Sequence, residues 1–237
     1  MLSVVLPCYN EKDNLEALFS RLDLLAANSE AIEIILVDNG SNDGSDIVFR
    51  NELAKRDTSV FKVERVEKNI GYGYGILSGL RAAKGEVLAV THADRQTDPL
   101  DVLKAYSIYK DANNSRLLVK GFRKNRKISE AVFSYGMGLL ASIVLGTRLT
   151  EVNAQPKLFS KAFFEQFEKQ APNDFSLDLY FLFKAKRHGS IVDFPVFFSK
   201  RVAGEAKGGS GSSFKTRWKL IKRSFKYIFE LKKQVNS

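Results

Sequence analysis

IEIILVDNGSNDGSD, Ile32–Asp46, sets two kinds of chain side by side. Its opening, Ile32–Asp38, is apolar at nearly every position, which is the composition of a strand covered on both faces. Its remainder is Gly, Ser, Asn and Asp, residues that turn the chain and start a helix. A doubly covered strand, a polar turn and a helix make one βα unit of a parallel sheet.

The unit repeats on either side. SVVLPCY (Ser3–Tyr9) predicts a first strand, and NLEALFSRLDLLAAN (Asn14–Asn28) a helix with Leu15, Leu18, Phe19, Leu22 and Leu25 on one face. VFKVERV (Val60–Val66) predicts a third strand, and YGILSGLRAAKG (Tyr74–Gly85) a helix closed by Gly85 as C-cap. EVLAVTHAD (Glu86–Asp94) predicts a fourth strand, with a helix from Pro99. The fold class is therefore α/β, a mostly parallel central sheet flanked by helices. Ligands of such sheets sit beyond the carboxyl ends of the strands, which brings Pro7–Glu11, Asp38–Asp43 and His92–Gln96 to one rim.

Past Leu117 the pattern loosens. KGFRKNR reads as a basic loop, Ser129–Gly146 and LDLYFLFKAKRHG (Leu177–Gly189) as helices, and IVDFPVFFSKR (Ile191–Arg201) as a late strand. GEAKGGSGSS is a Gly/Ser loop. It precedes a tail in which Phe214, Trp218, Ile221, Phe225, Ile228 and Phe229 recur at helical spacing among eight Lys/Arg. The expected organisation is one domain over 1–209 and a linker with a basic amphipathic helix over 210–237.

The 237 residues carry a formal charge of +10, so polyanionic partners are expected: nucleotides, phosphorylated lipids or an anionic membrane face. No helix-turn-helix, RNP or zinc pattern is present, and the acidic rim disfavours nucleic acid. The chain opens on a strand rather than a signal peptide, and no apolar run reaches spanning length. Cys8, the single cysteine, is expected to be a packed core residue. These features fit a cytoplasmic protein, peripheral at the cytoplasmic face of a membrane.

SVVLPCYNE, ILVDNGSNDGS, KNIGYGYGILSGLRAAKG, HADRQTDP, KGFRKNR and RVAGEAK stand in an order that resembles family 2 glycosyltransferases of the GT-A fold, nearest the dolichyl-phosphate (polyprenyl-phosphate) mannosyltransferase branch. The resemblance covers roughly Leu2–Gly209. It implies transfer of a sugar from a nucleotide-sugar donor, with inversion, to a polyprenyl phosphate or a growing glycan, with Mn²⁺ or Mg²⁺ as cofactor. By the same carry-over, Pro7, Tyr9 and Glu11 line the nucleotide pocket, with Val37, Asn39 and Ala93 beside them. Arg123, Arg201 and Lys207 meet the donor diphosphate. The metal would lie among His92, Asp94 and Gln96, and Asp94 and Asp178 are the candidate catalytic carboxylates.

Two positions depart from that family. Its D-A-D loop reads His92-Ala93-Asp94 here, and its D-D pair reads Asp38-Asn39. Imidazole suits Mn²⁺ better than Mg²⁺, so metal dependence is expected to shift. Other features have plain readings. Asp43 is expected to cap a helix. Gly71, Gly73, Gly75 and Gly79 are expected to permit a tight loop and close helix–sheet packing. His188 reads as a residue at a helix end. LGTRL (Leu145–Leu149) matches part of a nucleotidyltransferase signature, but mid-chain. Asp178 either faces the core or the wet side of its helix. The rival functions are a sugar-1-phosphate nucleotidyltransferase and a non-catalytic basic membrane-binding module.

Overall fold

The computed structural model describes residues 1–124, 128–199 and 214–236. In chain order the elements are β1 (Leu2–Cys8), α1 (Lys12–Ala27), β2 (Ile32–Asn39), α2 (Ser45–Leu53), β3 (Phe61–Val66), α3 (Tyr72–Ala82), β4 (Val87–Val90), α4 (Asp101–Ala112), β5 (Leu117–Lys124), α5 (Ile128–Leu145), β6 (Lys157–Ser160), α6 (Lys161–Phe167), α7 (Leu177–His188), β7 (Ser190–Phe197) and α8 (Phe214–Asn236). The seven strands form one sheet in the order β3-β2-β1-β4-β6-β5-β7. β6 alone runs antiparallel, between β4 and β5.

The expected α/β class is borne out. Every residue of β2 is buried, as its apolar run requires. The two faces of the sheet carry separate cores. Val5, Ile35 and Val37 pack under α3 on one side, together with α5 and α7. Val4, Leu6, Ile34 and Leu36 pack under α1 and α4 on the other. Gly79 is what lets α3 lie close. A Cβ there would fall 2.5 Å from Val5 Cγ1 and 2.7 Å from Val37 Cγ2.

Three local expectations are corrected. KGFRKNR is not simply a loop: Lys120–Lys124 continue β5, pairing with Asp193–Phe197 of β7. β6 is a strand that the pattern did not suggest, since it is only four residues long and begins with a lysine. Gly85 does not cap α3, which already ends at Ala82. Gly85 instead donates its N–H to Ser3 Oγ (2.7 Å), where a side chain would collide.

The basic tail is a helix, and it docks. α8 packs on α5, with Ile228 and Leu231 each 1 % exposed in the shared core. Arg223 Nε lies 2.5 Å from Asp174. Phe225 and Phe229 of the same helix face outward. Among the described residues, no helix is long and apolar enough to cross a membrane.

Candidate functional site

The carboxyl ends of β2, β1 and β4 lie side by side, as the parallel ladders dictate. Hydrogen bonds between loops then fix the rim. Asn10, at φ 55°, donates its backbone N–H to Ser41 Oγ (3.0 Å). Its amide exchanges two bonds with Asn42, each 3.0 Å. Asp43 ties both loops to helix starts, accepting from the backbone N–H of Lys12 (3.1 Å) and of Ser45 (3.0 Å). These are the first residues of α1 and α2, so Asp43 satisfies a helix-start donor of each, although the N-cap positions themselves are Glu11 and Gly44. Burial alone would raise the Asp43 carboxyl. The Ser45 hydroxyl and the two N–H donors outweigh it and hold the group below its ordinary value.

Asp38 and Asn39 end β2, and both are buried. Asp38 Oδ1 accepts the Ser41 N–H at 2.9 Å, and Asn39 Nδ2 donates to Gly71 O at 3.0 Å. The side-chain oxygen Oδ1 of Asn39 is buried with no hydrogen-bond partner. Gly75 gives this side chain its room, since a Cβ there would lie 2.8 Å from Asn39 Cγ.

The loop His92–Pro99 is held from within. Asp94 Oδ1 accepts the Gln96 N–H (3.1 Å), with Arg95 between them at φ 59°. Asp98 closes the next turn onto Leu100 N–H and anchors the loop to α1 through Arg21, 2.5 Å away. Gln96 Nε2 donates to Ser199 O (3.3 Å), and Ser199 N–H to Gln96 O (2.8 Å). The loop therefore grips the segment that leads into RVAGEAK. Arg201 and Lys207 themselves lie outside the described residues.

Asp178 falls on the buried side of α7, 3 % exposed. Its Oδ1 accepts from Lys157 Nζ at 2.6 Å and from Gln155 Nε2 at 3.0 Å, and Lys157 also donates to Ala154 O at 2.9 Å. Burial pushes the Lys157 ammonium down to about 8, against the pull of Asp178. Tyr72 links this group to the rim. Its ring stacks on Phe175 (4.8 Å) and lies 6.3 Å from His92. Burial raises its hydroxyl well above the ordinary value, and the negative charges of Asp178 and Asp94 add to that. Gln155, Lys157 and Tyr72 are absent from the sequence reading. The signal was available for Lys157, a lysine set directly against the apolar pair Leu158-Phe159.

The other candidates are placed as follows. Pro7 and Tyr9 are half-buried at the end of β1, and Glu11 is buried, accepting from Asn14 Nδ2 at 2.5 Å. Val37 is fully buried and packs toward Gly79, so its side chain serves the core beneath the rim. Ala93 packs with the opposite core. Arg123 is largely buried and pairs with Glu151 at 2.6 Å, beneath Phe198. Cys8 is buried, and burial pushes its thiol well up, as an inert packed residue requires. His188 ends α7, its ring tilted against Phe167 with centroids 4.9 Å apart. LGTRL is a helix stop: Gly146 takes φ 66°, and Thr147 N–H closes onto Ser142 O at 3.1 Å.

The donor set of the loop is one carboxylate, one imidazole and one amide oxygen. Among the described residues no three His, Cys, Asp or Glu side chains gather as a metal cage. This set suits a divalent cation shared with a diphosphate, not one enclosed by protein alone.

Comparison with known proteins gives the same frame. Undecaprenyl-phosphate 4-deoxy-4-formamido-L-arabinose transferase of Aeromonas hydrophila is 32% identical over 130 residues, 54% of this chain and 39% of that protein. Dolichol-phosphate mannosyltransferase of Pyrococcus furiosus is 29% identical over 214 residues, 87% of this chain and 58% of that protein. The chain thus spans about half the length of these relatives. Among solved structures, glucosyl-3-phosphoglycerate synthase from Mycobacterium tuberculosis with uridine diphosphate superposes with a TM-score of 0.73 at 18% identity, over 97% of this chain and 79% of that one. A mannosyltransferase from Pyrobaculum calidifontis in complex with GDP-Man and Mn²⁺ gives 0.61 at 18% identity, over 85% and 57%. These likenesses show the fold, the GT-A arrangement. Residues 3–168 match the family described as Glycosyl transferase family 2, and the chain belongs to that family.

Proposed function

We propose that the protein transfers a sugar from a nucleoside-diphosphate sugar to a polyprenyl phosphate, with inversion, at a membrane surface. The observation that carries this reading is the joining of two polar groups across Tyr72: the Asp38–Asn39 and His92–Gln96 rim, and the buried Asp178–Lys157–Gln155 group. In such a transfer, negative charge grows on the departing diphosphate and positive charge on the sugar. Asn39 and Glu11 flank the nucleotide. Asp94, Gln96 and His92 would hold a divalent cation, preferentially Mn²⁺, whose chemistry is to neutralise the diphosphate. Arg201 and Lys207 supply further positive charge.

The setting of Asp178 supports a phosphate acceptor. A hydroxyl acceptor needs a carboxylate free to take its proton, whereas a phosphate acceptor is already anionic. Asp178 Oδ1 is committed to Lys157 and Gln155, which favours a phosphate acceptor and gives Asp178 the role of holding Lys157. The surface supports a lipid carrier. Leu139 and Ile143 of α5, 49 % and 70 % exposed, and Phe225 and Phe229 of α8 are outward-facing apolar side chains on two helices that pack together. Lys222, Arg223, Lys226 and Lys233 are carried on the same α8, a basic and apolar composition that settles on anionic lipid.

The test is a donor screen that measures release of nucleoside diphosphate, with and without polyprenyl phosphate. Turnover that depends on polyprenyl phosphate is expected, with a higher rate in Mn²⁺ than in Mg²⁺. Asp94→Ala should lower kcat by about a hundredfold or more, and His92→Asp should shift preference toward Mg²⁺. Full activity of Asp94→Ala rules out the loop as the diphosphate site. Pyrophosphate release from a nucleoside triphosphate would instead identify a nucleotidyltransferase.

A further inference from the structure

The sheet buries a second lysine. Lys120 of β5 stands directly opposite Lys157 of β6 in their antiparallel ladder, and it too is only 1 % exposed. Directly opposed residues point to the same face, so both ammonium groups lie on the α7 side. Lys157 is matched there by Asp178, but Lys120 is not matched equally. Its Nζ forms an ion pair with Asp193 Oδ1 at 3.0 Å, with poor hydrogen-bond alignment, and Asp193 is 36 % exposed.

Lys120 instead opens onto a cavity of about 270 Å³, lined also by Arg148, Thr150, Leu182, Lys186 and Asp193. The fold builds this cavity deliberately from both sides. The Gly146 turn ends α5 and throws Arg148 outward, while Leu149 N–H is tied back to Ser142 Oγ at 2.8 Å. On α7, Leu182 and Lys186 follow Asp178 at intervals of four, so they share its face, and Lys186 stands roughly 12 Å further along the helix. Arg148 and Lys186 make no ion pair among the described residues. Three cations and a hydroxyl thus face a space that offers one half-exposed carboxylate in return.

We propose that this cavity is a binding site for a phosphate monoester group, separate from the nucleotide rim. A phosphate dianion needs several charge-assisted donors at once, and Lys120, Arg148, Lys186 and the Thr150 hydroxyl provide them. A plain structural lysine–aspartate pair would not require two further unpaired cations around the same space. Burial pushes the Lys120 ammonium down in spite of the nearby charges of Asp193 and Glu151. The proposal is independent of the transferase reading, because none of these residues belongs to the rim. The phosphate has two possible sources, a lipid headgroup or a soluble phosphorylated compound.

The experiment is an NMR titration of the ¹⁵N-labelled full chain with inorganic phosphate. Saturable shifts are expected at the amides of Leu149, Thr150 and Ile191. The double substitution Arg148→Gln with Lys186→Gln, both at exposed positions, should weaken the affinity read from those shifts by about tenfold or more, the loss of at least one charge-assisted contact. Lys120→Met should abolish them, with the remaining spectrum reporting that the fold persists. Shifts confined to His92–Gln96, or equal affinity in the double variant, would overturn the proposal. Vesicles of phosphatidylcholine containing phosphatidic acid distinguish the sources. Displacement of bound phosphate by these vesicles identifies a lipid headgroup, and displacement by glycerol 3-phosphate alone identifies a soluble ligand.

Discussion

The first four strands and the last three bury charge in different places. In β1–β4 it is kept to the strand ends. Glu33, the second residue of β2, is satisfied at the foot of the sheet by Ser3 Oγ (2.6 Å), Lys62 Nζ (2.7 Å) and the N–H groups of Lys84 and Gly85. Asp38 and Asn39 end the same strand at the rim. In β5–β7 two lysines face each other across a ladder, Lys120 in the middle of β5 and Lys157 at the start of β6, beside Asp193 and Asp178. A strand that carries its polar groups at its ends keeps an apolar run in its middle. A strand that buries lysines does not.

The sharpest break of this comparison is Asp178→Ala. It leaves the Lys157 ammonium buried with only a backbone carbonyl, and losing one partner of a buried pair costs about 3–5 kcal/mol. The urea midpoint should fall accordingly. Asp178→Leu combined with Lys157→Met should recover most of that loss, since an apolar pair removes both desolvation costs. A loss below about 1 kcal/mol in the single variant would show that the pair does not hold the second half together. Lys157 adds a pH signature. Its folded value, about 8, lies below the unfolded value near 10.4, so the unfolded chain binds more protons between them. This lysine's contribution to stability therefore improves as pH rises from about 8 to about 10.4, and Lys157→Met should lose that alkaline rise.

Ile228→Ala sharpens the comparison at the tail. The side chain is 1 % exposed in the core shared by α5 and α7, so its truncation should cost about 2–5 kcal/mol. Phe225→Ser with Phe229→Ser should leave the thermal midpoint nearly unchanged while reducing sedimentation with anionic vesicles. Equal stability losses for the two changes would mean that the helix has no outward working face. The tail sequence alone predicts a single apolar stripe, and the structure divides it between protein and surface. Helical spacing identifies a stripe but not its neighbours, and α5 became a neighbour only through tertiary packing.

The same physics explains what was legible. β1–β4, their helices and the rim stretches could be read because hydrophobic period and turn chemistry agreed at each step, as in Ile32–Asp46. The rim position of Asp94 and Asn39 follows from the apolar strands before them, whereas their roles rest on the family resemblance. Gln155 and Tyr72 carry no local mark of burial, and the apolar pair Leu158-Phe159 after Lys157 hints at burial without revealing the partner, Asp178, which is distant in sequence. The second half of β5 reads as a loop because Lys120 and Arg123 interrupt its apolar run, although both pair with carboxylates at the sheet. Gly79→Ala tests the legible half directly. The added methyl meets Val5 and Val37 at 2.5 and 2.7 Å, and overpacking of this kind costs about 1–3 kcal/mol. A neutral effect on the urea midpoint would mean that α3 can move off the sheet, and that the glycine spacing has another cause.

Asp43→Ala is the smallest change and the one that asks whether the rim is rigid by design. One carboxylate satisfies the first backbone donors of both α1 and α2, and loss of a cap costs about 0.5–2 kcal/mol. The sign of its pH dependence follows from its lowered folded value. The stabilisation is fully present above the unfolded value of about 4 and disappears as pH falls through the folded one. Wild type and Asp43→Ala should therefore differ in thermal midpoint at neutral pH and converge in acid. Asp43→Asn should retain part of the difference, because an amide oxygen still accepts a bond, but should lose its pH dependence. If the cap also orders the rim, donor affinity should fall in Asp43→Ala with little change in kcat, since Asp43 bonds to the loops and not to the reacting atoms. Unchanged donor affinity beside a lowered midpoint would confine Asp43 to stability, and leave the Asn10–Asn42 exchange as the remaining tie between the two loops.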